Sequence, residues 1–399
     1  MSGLYIHVPF CVRKCNYCDF CSVGIGDGDD VLTERMVDCI IKEMDSVLSV
    51  SHCCDETDAK DVADRFESIR DIDTVFIGGG TPSILPVKQM ERLLSAVGRF
   101  AHKNGLDIKE FTIECNPGTV DEDKLSLYKS FGINRLSFGL QSANDDELKT
   151  LGRIHTYKEF LKSYELARSV GFDNINIDLM NAIPGQTKKS LNKTLDEIIS
   201  LEPEHISAYS LIIEEGTPFY DKYVDGAPFD EDEDRSFFQM THEKLTDAGF
   251  DHYEISNYAK NKSTYACIHN LNYWNRGNYI GIGPAAASHF NGIRKTNTGE
   301  INKYMDYIES GTDTTEEKEI LDREKQLIEV VYLGLRTSDG IVFDDLKRGF
   351  ALDINNAFKN KILSMKNEGL ADYDESRLWL TPSGWWVSDY LITELIELI

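Results

Sequence analysis

LYIHVPFCVRKCNYCDFC, Leu4 to Cys21, is the stretch on which the reading of the whole chain turns. Tyr5, Ile6, His7 and Val8 alternate into a short strand, and Pro9 stops it. Cys11, Cys15 and Cys18 follow at once, spaced C-x3-C-x2-C, with the aromatic Tyr17 before the last of them. Three thiolates on one tight loop can hold three corners of a soft metal site, and no fourth ligand lies nearby in sequence. A structural zinc site closes its tetrahedron with a fourth Cys or His, usually from a second paired knuckle, and no such knuckle follows. The incomplete set points to a cluster with one iron open to a small molecule; buried thiols or zinc are the alternatives. Cys21, three residues beyond Cys18, reads as a neighbouring free thiol.

Composition bounds the rest. A chain of 399 residues can bury a sizeable core and predicts two or three domains. Hydrophobic residues make up 41% and aromatics 10%, ordinary for a globular protein, and no apolar run is long enough to span a membrane. The chain opens almost directly on strand residues, so no signal peptide is expected. A net charge of −26 argues against nucleic acid and anionic lipid surfaces as bulk partners. Nine cysteines, an odd number gathered towards one end, are no disulfide framework, and a reducing cytoplasmic setting is expected.

After a Gly/Asp-rich loop at Gly24–Asp30, a helix pattern runs over Thr33–Leu48, followed by an acidic surface connection carrying Cys53 and Cys54. Strands are then predicted at TVFIGGGTPS, FTIECNPG, RLSFGLQS, NINIDLM and HISAYSLII, with helices between them, giving six strand–helix units by Ile213. Such a series predicts an α/β fold built on a parallel, open, partial (β/α)6 TIM-type barrel. The cysteines, the glycines Gly78–Gly80, Glu114, Gln141 and Asp178 all fall at the C-terminal ends of successive strands, where such a barrel places its active site.

The cysteine spacing directly after a strand resembles the radical S-adenosylmethionine (SAM) superfamily. That resemblance implies a [4Fe-4S] cluster held by Cys11, Cys15 and Cys18, with SAM chelating the fourth iron. It also implies that the reduced cluster can cleave SAM to a 5′-deoxyadenosyl radical inside the barrel. Glycine backbone carbonyls suit the SAM ammonium group, Glu114 and Asp178 its ribose or ammonium, and Arg153 its carboxylate. Taken in order, YIHVPFCVRKCNYCDF, GGGTPS, ECNPGT, RLSFGLQS, LGRIHT and IDLMNAIPGQT resemble the oxygen-independent coproporphyrinogen III oxidase family over nearly the whole chain. By resemblance, the SAM-contacting positions are Tyr5, Tyr17, Gly79, Gly80, Thr81, Glu114, Gln141, Arg153, Asp178 and Ile212.

The second half separates the branches. His269, Asn270, Tyr273 and Trp274 stand in the order H-N-x-x-Y-W, which looks like the signature of the HemW-type haem chaperones. This branch implies haem as cargo, a haem-acceptor protein and an electron donor. His269 is the candidate haem ligand and Cys267 a second; the alternative is a hydrogen-bonded core histidine among core aromatics. The competing activity is oxidative decarboxylation of coproporphyrinogen III, or radical chemistry on another porphyrin, and no catalytic residue is assigned.

The chain begins ten residues before Cys11 without the oxidase's upstream extension, which is expected to favour the chaperone, and Asp19 and Phe20 make the spacing to Cys21 differ from the oxidase. The family's usual histidine position reads Ala287, with His289 two residues on. Domains are expected at 1–215 (barrel), 216–312 (extension with HNLNYW) and 313–399, a mostly helical, winged-helix-like domain. The acidic run Asp230–Asp234 reads as a helix start, and Trp379, Trp385 and Trp386 as core or interface.

Overall fold

The computed structural model describes residues 2–26, 30–49, 71–352 and 358–398; Cys53 and Cys54 lie outside the described residues. Its centre is a run of parallel strands, β1 (Ser2–Val8), β2 (Ile72–Gly79), β3 (Glu110–Cys115), β4 (Arg135–Gln141), β5 (Ile175–Asn181) and β6 (His205–Ser210). Each pairs in parallel with the next in chain order, as the alternation of strand and helix predicts. The helices α1 (Asp30–Ser49), α2 (Val87–Asn104), α3 (Tyr157–Val170) and α4 (Lys188–Ser200) lie among the connections between them. The ends of α3 show why the chain turns where it does. Thr156 and Glu159 form a reciprocal capping box at its start, and Gly171 at φ 95° closes it in the left-handed region.

The sheet does not stop at the sixth unit. After β7 (Asp251–Glu254) and β8 (Asn257–Ala259), which extend it antiparallel beyond β6, the strand β9 (Asn278–Ile282) returns to the free side of β1 and pairs with it in parallel. There Tyr5 is level with Gly281. β10 (Ala287–Phe290), β11 (Ile293–Asn297) and β12 (Thr315–Ile320) continue antiparallel, making one 12-stranded sheet. The divisions expected at residues 215 and 312 fall inside this sheet.

Side-chain alternation decides what the barrel encloses. Leu4, Ile6 and Val8 of β1, Val75 and Ile77 of β2, and Leu136, Phe138 and Leu140 of β4 are buried in the main hydrophobic core. Their neighbours one residue away point to the other face. Those inward positions, among them Tyr5, His7, Phe76, Glu114, Ser137, Asp178 and Ser207, line a cavity. A closed eight-stranded barrel packs its interior with layers of branched apolar side chains. Here the inward set is polar and aromatic, and β6 and β9 do not pair, so the barrel stays open around a lumen.

A second core forms from Leu327, Val331, Leu335, Leu346, Ile362, Leu378, Trp385 and Leu391. It packs around a three-stranded sheet of Ile341–Val342, Arg377–Leu380 and Ala371–Tyr373, consistent with the expected helical, winged outline. Trp385 joins this core to the barrel: its Nε1 donates to Leu335 O at 3.0 Å, and its ring meets His252 edge-on. Trp386 packs on Phe238 of α5 (Glu231–Asp247). The acidic run does start that helix, with Asp230 capping it by accepting the Glu233 N–H at 2.8 Å. Among the described residues no helix is long and apolar enough to cross a membrane.

Candidate functional site in the barrel lumen

Pro9 ends β1, and the cysteine loop that follows is closed by pairing of Phe10–Cys11 with Val23–Gly24. It is pinned to the segment after β4. Asn16 N–H donates to Leu151 O at 2.9 Å, Asn16 Nδ2 to Thr150 O at 2.9 Å, and Arg13 Nη2 to Gly152 O at 2.8 Å. Polar side chains reach the thiols: Thr81 Oγ1 donates to Cys11 Sγ and Arg153 Nη1 to Cys15 Sγ, each at 3.6 Å, and Ser22 also meets Cys11. Asn116 ties these together, donating to Thr81 Oγ1 at 2.7 Å and accepting from Arg153 Nη2 at 2.8 Å. Sequence reasoning passed over Asn116; its signal was its place two residues after Glu114, just past a strand end.

The glycine run serves this loop closely. A Cβ at Gly80 would meet the Phe10 carbonyl oxygen at 2.5 Å, and one at Gly79, whose φ is 115°, would meet the His7 ring at 2.8 Å. His7 in turn bridges Tyr5 OH (3.0 Å) and Cys21 O (2.8 Å). Burial pushes the Cys11 thiol up, and the Cys18 thiol up to about 11, so loading a metal must displace protons. Among the described residues no group of three or more His, Cys, Asp or Glu side chains gathers closely enough for one metal ion. Three thiols on one loop, two of them already receiving a side-chain hydrogen bond, are the soft donor set that an iron–sulfur cluster takes.

Beneath the loop lies a cavity of about 820 Å³, within the usual range for small-molecule sites. Tyr5, Tyr17, Cys18, Gly79, Glu114, Gln141, Asp178, Ile212 and His269 are on its wall. Cys11, Cys15, Gly80, Thr81 and Arg153 are not; Arg153 instead turns its guanidinium to Asn116, the Gly139 carbonyl and Cys15. Glu114 accepts the Gly79 N–H at 3.0 Å; burial first, then the charge of Asp178, pushes its carboxyl up to about 8. Asp178 accepts from Asn176 Nδ2 at 2.7 Å, and burial raises it also. Gln141 ends β4 with φ 77°, a strained conformation for a non-glycine residue at an irregularity in the pairing with β5. Phe20 and Ile212 stay exposed, leaving apolar side chains at the rim.

The HNLNYW segment forms α6 (Ile268–Trp274), packed on β1, β2 and β9. Its start is held by Glu110 of β3, which accepts the Ile268 N–H at 2.8 Å, the His269 N–H at 3.1 Å and the Cys267 thiol at 3.3 Å. Cys267 is thus buried and committed. His269 is 1% exposed, with Nδ1 bonded to Thr74 Oγ1 and Nε2 to Tyr273 OH, both at 2.8 Å, and its ring stacked on Phe76. Burial pushes its imidazole down to about 3. The ring borders the lumen, with both of its nitrogens hydrogen-bonded inside the protein. Ala287 stands on the wall and Tyr279 beside it, while His289 is buried behind, bonded through Nδ1 to Gly277 O at 3.2 Å.

Comparison with known proteins adds the lineage. Residues 5–198 match the radical SAM superfamily and residues 321–387 the HemN C-terminal domain. The heme chaperone HemW of Bacillus subtilis (strain 168) is 33% identical over 392 residues, covering 96% of each chain. The chain belongs to the heme chaperone HemW family. The HemW of Escherichia coli (strain K12) is 40% identical over 286 residues, 71% of this chain and 69% of that one. A solved radical SAM enzyme, coproporphyrinogen III oxidase (HemN) from Escherichia coli, superposes with a TM-score of 0.78 over 100% of this chain and 90% of that chain. At 19% identity that likeness shows the shared fold. As a radical SAM protein, this HemW-family chain is implied to bind a [4Fe-4S] cluster and SAM.

Proposed function

We propose that the chain is a haem chaperone, which binds haem in or at the barrel lumen and hands it to an acceptor protein. The observation carrying this is membership of the HemW family along 96% of the chain, joined to a lumen walled by Tyr5, Phe76, Tyr209, Tyr273 and Tyr279. Aromatic faces suit a flat macrocycle. In this reading Cys11, Cys15 and Cys18 hold the cluster, and Thr81, Asn116 and Arg153 steady the thiolates by donating to them or to one another. Tyr5, Tyr17, Gly79, Glu114, Gln141, Asp178 and Ile212 form the SAM surface. The bound cluster and SAM together supply one-electron chemistry. The chain's own part is to orient SAM and to keep water from it; Glu114 gives up a proton as the ammonium group arrives. A haem-acceptor protein, an electron donor and a cytoplasmic setting belong to the same proposal. The described cysteines, all free thiols, suit a reducing compartment.

The test is titration of cluster-reconstituted protein with haem, followed by absorbance, then transfer to a haem-free acceptor. One haem per chain, released to the acceptor, is expected; no Soret shift at micromolar haem would remove the reading. Anaerobic incubation with SAM, reductant and coproporphyrinogen III should leave the tetrapyrrole unchanged, whereas loss of two carboxyl groups as CO2 would make the chain an oxidase.

A further inference from the structure

Arg135 is a cation buried at the far end of the lumen. It opens β4, is 2% exposed, lines the cavity, and its Nε has no hydrogen-bond partner. The acidic groups facing it are otherwise engaged. Glu110, on the neighbouring strand, accepts the Ile268 and His269 N–H groups and the Cys267 thiol at the start of α6. Asp178 takes Asn176 Nδ2 at 2.7 Å and Ser137 Oγ at 3.5 Å. Glu114 is tied to the Gly79 N–H. A buried guanidinium with an open donor is costly unless an anion meets it, and its planar fork matches a carboxylate.

Position says which carboxylate. Arg135 and Gln141 are the first and last residues of β4, so their backbones stand about 20 Å apart along the strand. Gln141 marks the cluster end, where SAM would lie. The guanidinium faces Asp178 and Glu114 on the SAM side and Glu110 on the other, so an anion that meets it from the Glu110 side belongs to a second occupant, deeper in the lumen. Phe76, Tyr273 and Tyr279 line the same cavity and offer ring faces to a flat molecule.

We propose that Arg135 is the receptor for a carboxylate arm of the tetrapyrrole, holding it at the end of the lumen away from the cluster. The proposal rests on the haem reading above and adds the group that orients the cargo.

Cluster-reconstituted full-length protein is titrated with iron protoporphyrin IX and with its dimethyl ester, which keeps the macrocycle and removes the charge. Wild type is expected to bind the free acid about tenfold more tightly or better, the worth of one charged hydrogen-bonded contact. Arg135→Gln should level the two ligands, and Arg135→Lys, which keeps the charge but loses the fork, should fall between. Equal affinity of wild type for acid and ester overturns the Arg135 assignment while leaving the haem reading intact. So does an Arg135→Gln protein that melts cooperatively and still prefers the acid. If wild type takes up neither form, the haem reading fails and this proposal with it. The wild-type ratio and the Arg135→Lys protein keep the test decisive should Arg135→Gln not fold.

Discussion

In the proposed reading Glu114 meets the ribose or the ammonium group of SAM, and the ammonium is the case that can be tested by pH, because burial and the charge of Asp178 hold the Glu114 carboxyl up to about 8. At neutral pH it therefore keeps its proton until a cation arrives. Binding SAM should release that proton, and affinity should weaken as pH falls below that value, approaching about tenfold per pH unit for one coupled proton. Calorimetric titration in buffers of differing ionisation heat reads the proton directly, and Glu114→Gln should abolish the dependence. The sign for stability is the reverse of a salt-bridged carboxylate. With the folded value above the unfolded one of about 4.3, the burial cost is absent in acid and grows as pH rises towards about 8. SAM-free wild type should lose melting temperature over that window relative to Glu114→Gln. His269 gives a second prediction. Replacing it with Ala strands Thr74 Oγ1 and Tyr273 OH and should cost about 2 kcal/mol in denaturant unfolding. Haem affinity should hold if the histidine is a hydrogen-bonded wall residue; a loss of about tenfold or more would make it the iron ligand.

At the scale of elements, the site is made where the end of β1, the turn after β2 and the turn after β3 meet. Gly80 is the tightest of the Gly78–Gly80 run, because its Cα faces the backbone of Phe10 rather than a side chain that could move aside. Gly80→Ala is expected to push the cysteine loop off the barrel, at about 1–3 kcal/mol. It should leave reconstituted protein short of iron by metal analysis, though no ligand is touched. Full iron content with wild-type melting would mean the loop tolerates the shift. The helix α6 shows the same logic at the other end. Glu110 satisfies the backbone donors of its first turn, which is how a seven-residue helix holds its place against the sheet.

At the scale of the whole molecule, the C-terminal domain grips the barrel through charge as well as through Trp385. Glu329 of α7 (Arg323–Gly334) pairs with Arg276, just beyond α6, at 2.9 Å and with Arg294 of β11 at 2.5 Å. Arg276 and Glu329 are less than a fifth exposed, so the pair is shielded, while the half-open Arg294 contributes less. Glu329→Gln should cost about 2 kcal/mol and loosen the end of α6. Hydrogen exchange should quicken in residues 268–282 before it does in β3 or β4, and uniform exchange across the sheet would refute the grip.

Much of this chain was legible as sequence because its signals are local. Thiol spacing, the Pro9 stop, glycines after a strand and the β/α alternation depend on neighbours within a few residues, so they predicted the cluster loop, six parallel strands and the polar edge. The helix start at Asp230 was equally local, whereas the winged outline came from the family resemblance. What tertiary structure alone decided were matters of long-range pairing. β9 returned to join β1 across more than half the chain, which no periodicity records. Arg153 was drawn behind the loop by Asn116 and the Gly139 carbonyl, whereas Arg135, an unremarked strand residue, was carried into the lumen. His269, the residue a motif would nominate for iron, had both ring nitrogens taken by Thr74 and Tyr273. A sequence specifies which groups are present; only the packed fold settles which of them still have a hydrogen bond to give.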